Sequence, residues 1–140
     1  MSTETQYSTD FYQWTTDQAQ LLMSGDLDSL DIEHIIEELQ ALGRSEKREI
    51  YSRLIVLLTH LLKCRYQPEQ VCNSWKASIA GAKFEINRLL EQNPSLNNCL
   101  SDMLDDAYVS ASLRAVEETN IDSDIFPKEC PWKIEKLFKE

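Results

Sequence analysis

The sequence carries three glycines in 140 residues and no glycine-rich loop. That scarcity excludes the phosphate loop and the dinucleotide fingerprint, which need several glycines at fixed spacing, and also the glycine-flanked nucleophile elbow. No stretch reaches the roughly 20 apolar residues that a membrane-crossing helix requires. The richest run, residues 54–62, is bracketed by Arg53 and Lys63. No C-x-x-C pair occurs among Cys64, Cys72, Cys99 and Cys130, so free thiols in a reducing compartment are expected. Positive charge is short as well: 14 Lys and Arg stand against 24 Asp and Glu, a net charge of −10. An acidic surface repels phosphate backbones and anionic lipid, which argues against nucleic-acid and membrane partners. The opening MSTETQYSTD is polar and lacks the apolar core of a signal peptide, which places the protein in the cytosol.

What is present is helical periodicity. With few glycines, four prolines and no period-2 alternation, the chain reads as all-α. We expect a disordered stretch over residues 1–8 and a single helical domain over 9–140, a bundle of five main helices and a short C-terminal one. The centre of that bundle is residues 45–64. Ile50, Leu54, Leu57, Leu58 and Leu61 form one stripe there, widened by Tyr51, Ile55 and Leu62; an arc that wide needs cover from several neighbours. A first helix is capped by Ser8 or Thr9, buries Phe11, Trp14, Leu21 and Leu22, and stops at Gly25. A second starts at Asp28 or Asp31 and runs to Leu42, with Ile32, Ile35, Ile36, Leu39 and Leu42 as its apolar stripe. Gly43 reads as its C-terminal cap and Ser45 as the next N-cap, which folds the two helices into an antiparallel hairpin and puts His60 near or beyond Asp31. Pro68 ends the central helix, and two more follow, from Pro68 or Ser74 to Gln92 and from Leu96 to about Glu118. Pro131 reads as the first residue of the last helix.

Few constellations suggest chemistry. His60 and Cys64 share a helix side and Cys72 follows across Pro68, a weak zinc set with no clear fourth ligand, His34 being the only other histidine. The same His60 with Cys64, Cys72 or Ser74 is the nearest approach to a nucleophilic dyad. Asp31-x-x-His34 has the spacing used in di-iron bundles, but those need the motif twice, so a solvated face is the simpler reading. Glu37, Glu38, Arg44, Glu46, Lys47, Arg48 and Arg53 are helix-supporting ion pairs or a partner-docking surface, with Glu37, Glu38, Arg44 and Arg48 as the candidate contacts.

Several stretches taken together resemble a bacterial family known as domain of unknown function 29. They include Asp10-Phe11-Tyr12-Gln13-Trp14, Leu30-Asp31-Ile32-Glu33, Leu42-Gly43-Arg44-Ser45-Glu46, His60-Leu61-Leu62-Lys63, Tyr66-Gln67-Pro68, Ser74-Trp75, Tyr108 and Phe126-Pro127. The resemblance spans nearly the whole chain in order. It implies a small all-helical bacterial protein, often encoded in many copies per genome, and assigns no activity. Relatives commonly carry an aromatic, usually Trp, where this chain has Cys64, which weakens Cys64 as a dedicated ligand. The function expected is therefore a cytosolic, non-catalytic interaction or regulatory module without a cofactor, as monomer or homodimer. The alternatives are a small hydrolase or metal-dependent enzyme centred on His60, and an acidic antitoxin-like or nucleic-acid-mimicking cap on a basic partner.

Overall fold

The computed structural model describes residues 3–138, which form six helices and, among the described residues, no strand. They are α1 (Thr3–Thr9), α2 (Phe11–Ser24), α3 (Ile32–Tyr66), α4 (Asn73–Gln92), α5 (Leu100–Thr119) and α6 (Ile134–Leu137). The all-α, single-domain class expected from the sequence holds. Within it the chain divides into two compact units, with the division between Ser45 and Glu46.

In the N-terminal unit, α1 occupies the stretch read as a disordered lead. Asp10, rather than Ser8 or Thr9, caps α2, its carboxylate accepting from the Gln13 amide at 3.1 Å. At the other end Gly25 adopts a left-handed φ of 76°. The Gly25 and Asp26 amides donate back to the Leu22 and Leu21 carbonyls, a Schellman arrangement that a residue with a Cβ adopts only with strain. Asp31 caps α3 in turn: its carbonyl accepts from the Ile35 amide at 3.0 Å and its carboxylate from the His34 amide at 3.4 Å. Only Trp14 and Gln18 of α2 are buried. Phe11 and Leu22, expected inside, are exposed, as are Ile32, Ile36, Leu39 and Leu42 of α3.

The largest departure from expectation is at Gly43. No hairpin forms there; α3 runs unbroken for 35 residues, so no turn carries His60 back toward Asp31. Gly43 has no positive φ. The residues after it explain why: Arg44, Glu46, Lys47, Arg48 and Glu49 are good helix formers, and Glu49 pairs with Arg53 one turn on at 3.1 Å. Extending an existing helix through one glycine costs less than nucleating a new one. A Cβ added at Gly43 would meet nothing within 4 Å. Gly43→Ala is accordingly expected to stabilise the protein by about 0.5–1 kcal/mol. A lowered midpoint in urea denaturation would instead favour a turn at this position.

In the C-terminal unit the expected centre is the observed one. Ile50, Leu54, Leu57, Leu58 and Leu62 are completely buried. They pack in one core with Ile86 and Leu89 of α4, Leu100 and Leu104 of α5, Phe126, and Leu137 of α6. Ala107, Ala111 and Ala115 are also fully buried, four residues apart along α5, where small side chains allow close backbone approach. Thr59 sits in this core without an orphaned hydroxyl, because Oγ1 donates to the Ile55 carbonyl at 2.7 Å. Residues 94–99 form a short 3-10 segment, so α5 begins at Leu100 and not Leu96. The last helix starts at Ile134, three residues beyond Pro131, after an irregular segment pinned by Tyr108, whose hydroxyl donates to the Pro127 carbonyl at 2.6 Å. Phe126 meets Tyr66 edge-on at 5.1 Å.

Candidate functional site

Most of the polar chemistry of the N-terminal unit converges on Asp31. Trp14 Nε1 donates to its Oδ2 at 2.9 Å, and His34 Nδ1 lies 2.7 Å from the same oxygen. The Asp31 amide donates to Gln18 Oε1 at 2.8 Å. The Tyr7 ring stacks on His34 with centroids 3.9 Å apart and meets Trp14 edge-on at 4.8 Å, while its hydroxyl donates to Glu38. Six side chains from α1, α2, the α3 cap and α3 itself thus lock one another in place.

The electrostatics follow from these contacts. The hydrogen bond to Asp31 holds His34 above the usual 6.5. Burial alone would raise Asp31, but the bonds from His34, Trp14 and the His34 amide outweigh it and keep the carboxyl below 3.8. Tyr7 is pushed up to about 12, first by its bond to Glu38. The signs give a pH window. A raised histidine contributes stability that is complete below about pH 6.5 and lost as pH rises through its folded value; a depressed carboxyl contributes above 3.8 and loses that as pH falls. In an NMR titration His34 should have its midpoint above 6.5, and Asp31→Asn should bring it down. A His34 midpoint unmoved by that substitution would contradict the pairing.

Beside this cluster, α2 and the first part of α3 leave an open groove of about 210 Å³. Leu22, Ile35, Leu39 and Leu42 supply its apolar walls, with Trp14 and Gln18 at its inner side. Leu39 and Leu42 are 61% and 65% exposed. Gln18 is only 4% exposed. Its Oε1 is committed to Asp31, and its buried Nε2 has no hydrogen-bond partner among the described residues.

The other residues singled out from sequence lie apart from this. His60 Nδ1 donates to the Val56 carbonyl one turn back on its own helix at 2.9 Å. Burial pushes the Cys64 thiol up, and Cys72 is exposed. Among the described residues, no three His, Cys, Asp or Glu side chains are placed to hold a metal ion. Of the candidate partner contacts Glu37, Glu38, Arg44 and Arg48, all on α3, Glu38 borders the groove and the other three are exposed. His34, read as lying on a solvated face, is packed under Tyr7 and only 16% exposed. The signal available for that cluster was the run of aromatics Tyr7, Phe11 and Trp14, which the structure divides between α1 and α2.

The profile of the family described as "Domain of unknown function DUF29" matches residues 6–140. The chain belongs to that family. As a DUF29 protein it carries the family region across both compact units, from Gln6 onward, with the Asp31 cluster and the groove inside it. No curated protein and no solved structure matches the chain. Among the described residues of this DUF29 chain, no helix is long and apolar enough to cross a membrane.

Proposed function

We propose that the protein is a cytosolic, non-catalytic interaction or regulatory module whose docking face is the groove between α2 and the first part of α3. One observation carries this reading: Leu22, Leu39 and Leu42 of the groove are exposed, with Ile32 and Ile36 exposed on the same helix as Leu39 and Leu42. Apolar residues at helical spacing are normally the buried side of an amphipathic helix, and a contiguous exposed patch of them marks an interaction surface. The groove walls stand on a locked support, since the Asp31 network fixes α2 against the α3 cap, and a preorganised face loses little conformational entropy on binding. The cytosolic placement rests on the four free cysteines, which suit a reducing compartment.

The test is an affinity pull-down from the native host with the intact chain and with Leu39→Asp. Recovery of a stoichiometric protein with the intact chain, lost with the variant, is the expected result. Repeated recovery of the bait alone would count against the module reading and move attention to His60.

A further inference from the structure

The charge of the chain is unevenly placed. Residues 1–45 contain nine Asp and Glu and a single basic residue, Arg44, a net of −8; the remaining 95 residues carry 15 acidic and 13 basic side chains, a net of −2. Most of the chain's excess negative charge therefore belongs to the unit that carries the groove. Glu38 lines the groove with its carboxylate bonded to Tyr7, and Glu33 and Glu37 are exposed on the opposite side of the same helix.

The shape of the apolar face is equally specific. Ile32, Ile35, Leu39 and Leu42 follow a 3-4-3 spacing along α3, the seam that receives knobs from a neighbouring helix. Leu22 of α2 supplies the opposite wall. Such grooves take an amphipathic helix that lays anchors at i, i+3 or i+4, and i+7 into the seam.

We propose that this groove binds an amphipathic helix rich in lysine and arginine, presented by a partner protein. The inference rests on the interaction reading above and adds the class of partner. The occupant's apolar side covers Leu22, Ile35, Leu39 and Leu42, while its cationic flanks meet the net-negative unit that carries the groove, which steers encounter and rejects acidic competitors. A second copy of the chain meets a like-charged unit, and an anionic bilayer is repelled for the same reason.

The experiment uses the full chain and three synthetic peptides of about 18 residues, or five helical turns. Each has the same leucine face, with lysine, glutamine or glutamate on the other side. Isothermal titration should show one-to-one binding of the leucine–lysine peptide, weakened at least about tenfold between low salt and 0.5 M. It should show much weaker binding of the glutamine peptide and none of the glutamate one. Leu39→Ser and Leu42→Ser, both at exposed positions, should each reduce lysine-peptide affinity about tenfold, the loss expected for one apolar anchor. Leu113→Ser on α5, equally exposed, should leave it unchanged. Circular dichroism of each variant confirms that the fold is retained. Equal binding of the lysine and glutamine peptides would overturn the basic-partner inference, as would binding indifferent to Leu39 and Leu42. A concentration-dependent dimer in sedimentation, abolished by Leu39→Ser, would overturn it in favour of a second copy. A host partner captured through Leu39 but lacking a basic helix would sink this inference alone; an empty pull-down would also take the module reading with it.

Discussion

Leu57→Ala is expected to lower stability by about 2–5 kcal/mol, one of the two largest effects of any single substitution considered for this chain. Leu57 is completely buried, as are Leu54 about one helical turn before it, the adjacent Leu58, and Leu62. It belongs to a core whose other walls come from α4, α5 and α6. Alanine removes the contacts of the leucine side chain and leaves a cavity that three surrounding helices cannot close without moving together. The cost is set by how far they relax. Loss of this size is a large fraction of the 5–15 kcal/mol typical of a domain. The denaturation midpoint in urea reads it directly; a shift smaller than that of a surface control such as Leu113→Ala would mean that the core is misplaced.

Trp14→Ala is expected to cost about 3–5 kcal/mol, the range for removing a large buried aromatic. Trp14 is 3% exposed, contacts Tyr7 and Phe11, and donates its indole N–H to Asp31. Alanine leaves the ring's volume empty and takes one of two side-chain donors from the Asp31 carboxylate. Trp14→Phe separates the two contributions, since it keeps most of the apolar surface and removes only the donor. It is expected to cost about 1–3 kcal/mol. Amide hydrogen exchange across Phe11–Ser24 is the readout, with the alanine variant accelerating it by roughly two orders of magnitude, as 3 kcal/mol requires. Equal effects of the two variants would show that ring packing contributes little.

Helix ends were legible in the sequence wherever a cap has only one interpretation. Gly25, the Pro68 break and Asp31, one of the two starts read for its helix beside Asp28, fall where the structure has them, because a left-handed glycine, a proline and an N-cap carboxylate each act locally. Gly43 was misleading for the same reason that Gly25 was not. A glycine is compatible with a turn and with a helix interior, and the choice fell to the strong helix formers after it. The central core at Ile50, Leu54, Leu57, Leu58 and Leu62 was readable from a stripe too wide to leave in water. By contrast, Ile32, Ile36, Leu39 and Leu42 were legible as an apolar stripe but not as an exposed one. Periodicity shows which face of a helix is apolar; it does not show whether another element covers that face. The Asp31 cluster was missed because α1 lies in a stretch read as disordered. With Tyr7 out of consideration, His34 had nothing above it and looked solvated.

The central claim is that the exposed seam of α3 is a docking face. The most direct measurement places a photo-crosslinking amino acid at position 39 in the native host, with position 113 as the control. The account predicts a discrete protein adduct from position 39 alone, mapping to a lysine- and arginine-rich helical segment of the partner. Adducts of equal yield from both positions, or none from position 39, would contradict it.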